Sequence, residues 1–200
     1  DSSSRERRTH SAVRMANLEA NLFYNIDYRQ RLTAKVHYYG ARQQLPGPVI
    51  YYRETPGSES SADQSGFVQL HYTNLISPRW SLRLDGKIYA VRNIYDDSAY
   101  QGSTGVLHNE YRQSEYYLTG AAMYRLNDFI KFSYSTDYFF NGLQSNVAAC
   151  AEVGRHSWLN ALSANAFLNK VNITATALYS MHGENLLGQF AKEYRHFTPY

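Results

Sequence analysis

Apolar and polar residues alternate one by one through eight segments of this chain, which is the period of a β-strand with two unlike faces. The clearest segment lies between Trp80 and Ala90, where apolar side chains alternate with Arg83, Asp85 and Lys87. Three charges on one face require a wet or specifically paired environment. The pattern therefore predicts an antiparallel all-β fold whose strands have one apolar and one polar face.

Two later segments need separate treatment. In the seventh, both Leu159 with Ala161 and Leu162 with Ala164 offer an apolar face, and we favour the second pair. The segment that ends at Tyr200 is predicted to be a ninth strand. The eight predicted strands are Thr9 to Asn25, Arg31 to Tyr38, Gly66 to Thr73, Trp80 to Ala90, Tyr116 to Tyr124, Ile130 to Phe140, His156 to Phe167 and Val171 to Tyr179.

The connections between these strands alternate in predicted length. An outer-membrane barrel has short turns on one rim and longer loops on the other. The chain is therefore predicted to form about eight to nine strands of an antiparallel up-and-down transmembrane β-barrel. The short turns are Ile26 to Gln30, Asn74 to Arg79, Arg125 to Asp128 and Leu168 to Lys170, and the long loops are Ala41 to Gln64, Asn93 to His108, Asn141 to Gly154 and the segment from His182.

Composition agrees with strands that cross a membrane. Tyrosine occurs 19 times in 200 residues, and its amphipathic ring suits the boundary between hydrocarbon and water. No apolar run approaches the roughly 18 residues of a spanning helix, whereas a barrel strand needs only about 9 to 11 alternating residues. The net charge of +3 identifies no partner, and no nucleic-acid partner is expected. Cys150 excludes an internal disulfide, and no signal peptide is seen at the first residues.

Three architectures remain open at this point. We favour an internal segment of a larger barrel, because the chain starts with what reads as the end of a loop and stops inside a strand. A complete eight-stranded barrel with a structural or adhesive role is the alternative. A soluble ligand-binding barrel would place the apolar side chains inside, which periodicity alone permits; the loop lengths argue against it.

Five stretches carry a resemblance to a known family: Arg7–Thr9, Leu18–Leu22, Gln44–Tyr52, Tyr111–Leu118 and Arg155–Leu159. In this order they resemble the barrel of TonB-dependent outer-membrane receptors from Bacteroides-type bacteria. The resemblance implies a location in the outer membrane and a 22-stranded barrel around an N-terminal plug. It further implies import of cobalamin or an iron chelate with energy delivered by TonB. Plug and TonB box are not found in residues 1–200, so the resemblance covers a partial barrel domain.

Candidate ligand contacts lie in the predicted long loops. An apolar aromatic stretch in an exposed loop, such as Pro46 to Tyr52, must pack inward or meet a ligand. The acidic pair Asp96 and Asp97 in the next loop is interpreted first as a source of loop solubility and second as a contact for a cation or a ligand. The predicted partners are outer-membrane lipid, a small-molecule ligand, and the plug and TonB through other parts of the protein. The predicted ligand-binding residues are Arg42, Tyr51, Tyr52, Asp96, Asp97 and Tyr100.

Histidine and arginine side chains give weaker predictions of a binding site. His37 and His71 are predicted to lie nearly opposite each other, where two imidazoles could share a metal, but no third ligand is apparent. Phosphate-loop, serine-nucleophile and HExxH motifs are absent from the sequence, so we predict no enzyme and no cofactor. Haem capture is considered for His10, His108, His156 and His182, whose ordinary interpretation is that histidines occur at wet strand ends. Lipopolysaccharide contact is considered for Arg5, Arg7, Arg8 and Arg14, whose ordinary interpretation is a solvated surface.

Overall fold

The structure is a computed structural model and describes residues 10–46, 59–100, 105–147, 152–186 and 189–199. Within these ranges the chain forms nine strands, and none of the described residues belongs to a helix that could span a membrane. The strands are β1 (Val13–Asn25), β2 (Gln30–Leu45), β3 (Glu59–Ser77), β4 (Trp80–Asp97), β5 (Leu107–Arg125), β6 (Ile130–Ser145), β7 (Glu152–Leu168), β8 (Val171–Leu186) and β9 (Gln189–Pro199).

All nine strands form one antiparallel sheet in which each strand pairs with the next along the chain. Directly paired residues point to the same side of a sheet, so the register separates two faces. We call them the apolar face, which carries Leu22, Leu70, Leu118, Leu162 and Ile173, and the polar face, which carries Asn21, Gln69, Asp85, Asp137 and Thr174. The fold class expected from the sequence is confirmed.

In the seventh strand, the pair of residues that the sequence favoured for the apolar face does lie on that face. Leu162 pairs with Tyr134, and Ala164 pairs with Phe132. Both partners belong to the apolar face. Leu159 pairs instead with Asp137 on the polar face. The predicted ninth strand is also present as β9, which pairs antiparallel with β8.

Several predicted strand ends were wrong, because the strands continue into segments expected to be loops. The acidic, serine-rich stretch Glu59–Ser65 forms the first half of β3 and pairs with β2 and β4. β4 likewise continues to Asp97, and β8 continues to Leu186, three residues before β9 begins. The expected long loop from His182 is therefore not found. Backbone pairing, which does not depend on apolar side chains, extends these strands beyond the alternating segments.

Three of the four short turns are each held by the side chain of one polar residue. Asp27 Oδ1 accepts hydrogen bonds from the backbone N of Arg29 and Gln30, and Asn127 Oδ1 does the same for Phe129 and Ile130. Side chains of this kind mimic backbone in a turn. In the turn between β3 and β4, Ser77 Oγ accepts from the backbone N of Arg79 and Trp80. These contacts fix the β1–β2, β5–β6 and β3–β4 hairpins respectively.

The pairing drifts along the strands from one end of the sheet to the other. A row of directly paired residues starts at Tyr24, beside the first short turn, and reaches Tyr179, well inside β8. Measured from the short-turn ends of the strands, this row shifts by about 23 Å along the strand direction while it crosses about 34 Å of the sheet from β1 to β8. It corresponds to a strand tilt of roughly 35°, which is in the range that closes a sheet into a barrel.

Candidate functional site

The described residues contain no buried hydrophobic side chain, and Thr119 is the one buried polar residue among them. The chain exposes 14986 Å², against roughly 9,600 Å² for a compact soluble protein of this mass. Large apolar side chains cover one face of the sheet, among them Leu18, Leu22, Leu118 and Ile173, each more than half exposed. An apolar surface of this extent marks a site of interaction with a membrane or another protein.

Aromatic rings form two rows on the apolar face. Near the short turns, the rings of Trp80 and Tyr124 lie 4.6 Å apart. Toward the opposite end, the rings of Tyr116 and Phe140 lie 5.7 Å apart. Tyr116 and Tyr124 are separated by about 26 Å along β5, or about 22 Å in height at the tilt given above. Outer-membrane barrels have an apolar band about 25 Å tall between two aromatic girdles, so the spacing agrees with such a band.

The polar face carries a paired charge network in its middle. Asp85 contacts His71 Nδ1 through Oδ1 and Arg83 Nε through Oδ2, the latter at 3.1 Å. On the next two strands, the Tyr117 hydroxyl of β5 donates to Asp137 Oδ1 of β6 at 3.1 Å. These contacts provide the paired environment that the charges of β4 require.

A second group on the polar face surrounds the ring of Phe67. His37 stacks on this ring at 5.2 Å between centroids, and the ammonium groups of Lys35 and Lys87 lie 5.9 and 5.1 Å from its centre. Lys35 also pairs with Glu19 at 3.0 Å. Cations over an aromatic face and solvent-accessible ion pairs are typical of a wet surface. The polar face is therefore suited to a water-filled interior.

Predicted ligand-binding residues cluster where β4 ends. Asp96, on the apolar face, pairs with His108 Nδ1 at 2.5 Å. Asp97, on the polar face, accepts a hydrogen bond from the backbone N of Ala99 at 3.0 Å, and Tyr100 follows with 44% of its surface exposed. The structure thus brings these three residues to one end of the sheet. Both aspartates lie in a strand and not in the predicted loop.

Arg42 also lies in a strand, where the sequence predicted a loop. It pairs with Arg14 of β1 and Ala62 of β3 on the apolar face, and therefore points away from the polar face. Tyr51 and Tyr52 lie outside the described residues, as does most of the aromatic stretch to which they belong.

The expected approach of His37 and His71 was wrong. His37 pairs with Phe67, and His71 pairs with Thr33. The longer β2 and β3 shift the register, so the two imidazoles are separated along the strands and His71 contacts Asp85 instead. Among the described residues, no group of three or more His, Cys, Asp or Glu side chains is placed to hold a metal.

The four histidines considered for haem do not converge. His156 and His182 lie on opposite faces of β7 and β8. Each of the four has a separate partner: His10 contacts the Glu59 carbonyl, His108 contacts Asp96, His156 contacts the Tyr138 hydroxyl and His182 contacts the Ser157 hydroxyl. Their geometry gives no support to axial ligation.

A row of arginines on the apolar face is the feature that sequence reasoning missed. Arg92 and Arg112 face each other across β4 and β5, and both donate to Glu110 Oε1, at 2.7 and 2.6 Å. These bonds hold the pKa of Glu110 at about 2, because they favour the ionised carboxylate. Arg14 and Arg42 continue the row on β1 and β2. If the alternation of faces had been continued along the chain beyond the apolar segments, it would have placed all four arginines on the apolar face.

The fold is found in solved structures of other proteins. The alcaligin outer-membrane receptor FauA of Bordetella pertussis superposes with a TM-score of 0.62 at 11% identity, over 94% of this chain and 32% of its own. The unliganded ferric citrate transporter FecA superposes with a TM-score of 0.56 at 12% identity, over 96% of this chain and 33% of its own. The chain thus spans about a third of the proteins it matches. No protein-family model and no curated protein matches the sequence.

Proposed function

We propose that residues 1–200 form part of the barrel wall of a TonB-dependent outer-membrane transporter. The observation that carries the proposal is the exposed apolar face, bounded by two aromatic rows, in a sheet with no buried hydrophobic side chain among the described residues. Only a bilayer covers such a face all round a barrel. The shared fold with an outer-membrane receptor and a transporter supports the same location.

In this proposal the two faces of the sheet contact different surroundings. The apolar face contacts hydrocarbon, and the polar face lines an interior that holds water and the plug supplied elsewhere in the protein. The network of Asp85 and the cations around Phe67 belong to that interior. The long-loop rim then faces the outside of the cell, since the short turns are the periplasmic ones.

The transported ligand is proposed to be cobalamin or an iron chelate such as an iron-siderophore. Capture would use Asp97 and Tyr100 at the β4 rim, with Tyr51 and Tyr52, through stacking and hydrogen bonds. Asp96 lies at the same end and is already paired with His108. The resemblance of Gln44–Tyr52 favours a receptor of the Bacteroides type. The proposed role is transport and includes no catalytic step.

Uptake measurements in cells that produce the intact protein test this function. Radiolabelled cyanocobalamin and ferric citrate are the probes, and the D97N/Y100A variant is expected to take up the transported probe with at least tenfold weaker apparent affinity. D128N/Y28A is the matched control at the short-turn rim, where Tyr28 is 87% exposed, and it should leave uptake unchanged. Equal uptake by both variants would refute the capture residues, and uptake of neither probe would refute cobalamin and ferric citrate as the transported ligands.

A further inference from the structure

Two arginines face each other on the apolar side of β1 and β2. Arg14 and Arg42 are direct partners in the register, and both line the same groove. Like charges directly opposite each other destabilise a strand pair. No carboxylate in the described part of the chain forms an ion pair with either guanidinium. Among the described residues, the pair therefore has no counter-charge.

The four arginines of the row lie at one height. Arg14, Arg42, Arg92 and Arg112 are each about 12 residues from the short-turn end of their strand, which is about 40 Å along the strand. At a tilt of roughly 35° this places them about 32 Å above the short-turn rim. An apolar band about 25 Å tall ends several ångströms below this level. The row therefore lies where lipid headgroups begin.

The groove joins the arginines to the apolar face. It encloses about 310 Å³ between Arg14, Arg42 and Arg92, with Ala16, Tyr38 and Ile94 among its apolar lining. Tyr38 and Ala16 belong to the same face as the apolar band. A molecule with an anionic head and a hydrocarbon tail could occupy the groove and the band together, whereas a free anion would use only the arginines.

The row of four arginines has a net positive charge, because Glu110 forms ion pairs with two of them and no other described carboxylate pairs with the row. Glu110 neutralises part of the charge of Arg92 and Arg112, which it bridges. No carboxylate of the described ranges offsets the charge of Arg14 or Arg42. Guanidinium groups bind phosphate oxygens through paired hydrogen bonds, and basic clusters at a membrane surface recognise anionic headgroups.

We propose that Arg14 and Arg42, with Arg92, form a binding site for the phosphate groups of an anionic lipid in the outer leaflet of the membrane. The lipid's acyl chains lie against the apolar face below the groove. This inference rests on the proposed membrane location of the apolar face. It assigns Arg42 to lipid binding on the outside of the wall and not to the transported ligand.

Lipid binding by the intact protein tests the site. The protein is purified in a neutral detergent, and its affinity for diphosphorylated lipid A, for the same lipid without phosphates and for inorganic phosphate is measured by native mass spectrometry. The R14Q/R42Q variant is expected to bind diphosphorylated lipid A about 30-fold more weakly. The control is R29Q/R79Q, which removes the same charge from the short-turn rim and should bind as the unmodified protein does.

Each outcome has a defined meaning. A selective loss in R14Q/R42Q, with weak binding of the dephosphorylated lipid, supports the site. Equal affinity in all three proteins, or tight binding of inorganic phosphate alone, overturns it. Uptake of cobalamin or ferric citrate by R14Q/R42Q is expected to be unchanged. Failure of the protein to appear in the membrane fraction would refute the proposed function itself, and is thereby distinguished from failure of this site.

Discussion

A single arginine placed on the apolar face should destabilise the protein far more than the same arginine on the polar face. Leu162 is 55% exposed on the apolar face, between Tyr134 of β6 and Ala177 of β8. It lies about 20 Å along β7 from the short-turn end, which is about 16 Å in height at the observed tilt. That height is close to the middle of an apolar band about 25 Å tall.

The expected magnitude follows from that depth. Arginine near the middle of the band costs about 2 to 4 kcal/mol, so L162R should lower the folding equilibrium constant about 100-fold. The adjacent Ala161 points to the polar face, between Ser135 and Leu178. A161R adds the same charge at nearly the same height, yet leaves it in water. We expect the free energy of unfolding of A161R to change by about 0.5 kcal/mol or less.

The assay is urea unfolding of the intact protein in phospholipid vesicles, followed by tryptophan fluorescence. Both variants and the unmodified protein are measured under one condition, so that differences in free energy are read from shifted midpoints at a common slope. Equal stabilities of L162R and A161R would refute the assignment of the two faces. The reverse order would show that the polar face is the one in contact with hydrocarbon.

Three further predictions concern single side chains. W80A should lower the free energy of unfolding in vesicles by about 1 kcal/mol or more, because an aromatic pair and an interfacial anchor are lost, whereas an unchanged value would contradict a girdle at this position. The arginine partners of Glu110 lower its pKa from 4.5 to about 2. This implies a contribution to stability that is present above about pH 4.5 and is lost as the pH falls toward 2. Carbon NMR should find the pKa of Glu110 raised in R92Q, and titration near 4.5 in the unmodified protein would refute the bridge. D85N should cost about 1 to 3 kcal/mol, because the Arg83 guanidinium loses its carboxylate partner and His71 loses its contact. D128N is the exposed control, and equal urea midpoints would show that the network contributes no stability.

The alternating segments of the sequence were sufficient to predict strand order and face assignment. Leu162 and Ala164 lie on the predicted face because only that choice continues the apolar surface of β6. The strand ends were not predictable in the same way. Glu59–Ser65 is polar at nearly every position, since both of its faces meet water, so its backbone pairing leaves no periodic signal.

The candidate site was predicted less completely for the same physical reason. Asp97 and Tyr100 were predicted as candidates because acidic and aromatic residues are conspicuous in a predicted loop, and the structure places both at one end of the sheet. Arg42 was identified as a candidate but assigned to a loop, and its pairing with Arg14 depends on a register that the sequence does not reveal. His37 and His71 were misaligned because the true extent of β2 and β3 was unknown.

The neighbour-to-neighbour order of the nine strands has a consequence for assembly. Each described strand pairs only with those that precede and follow it in the chain, so every strand pairing joins neighbouring segments and can form as soon as the next strand is available. An open edge carries unpaired amide and carbonyl groups, each of which costs several kcal/mol in hydrocarbon. We therefore expect the wall to enter the membrane as growing hairpins whose leading edge is kept in water until the next strand covers it.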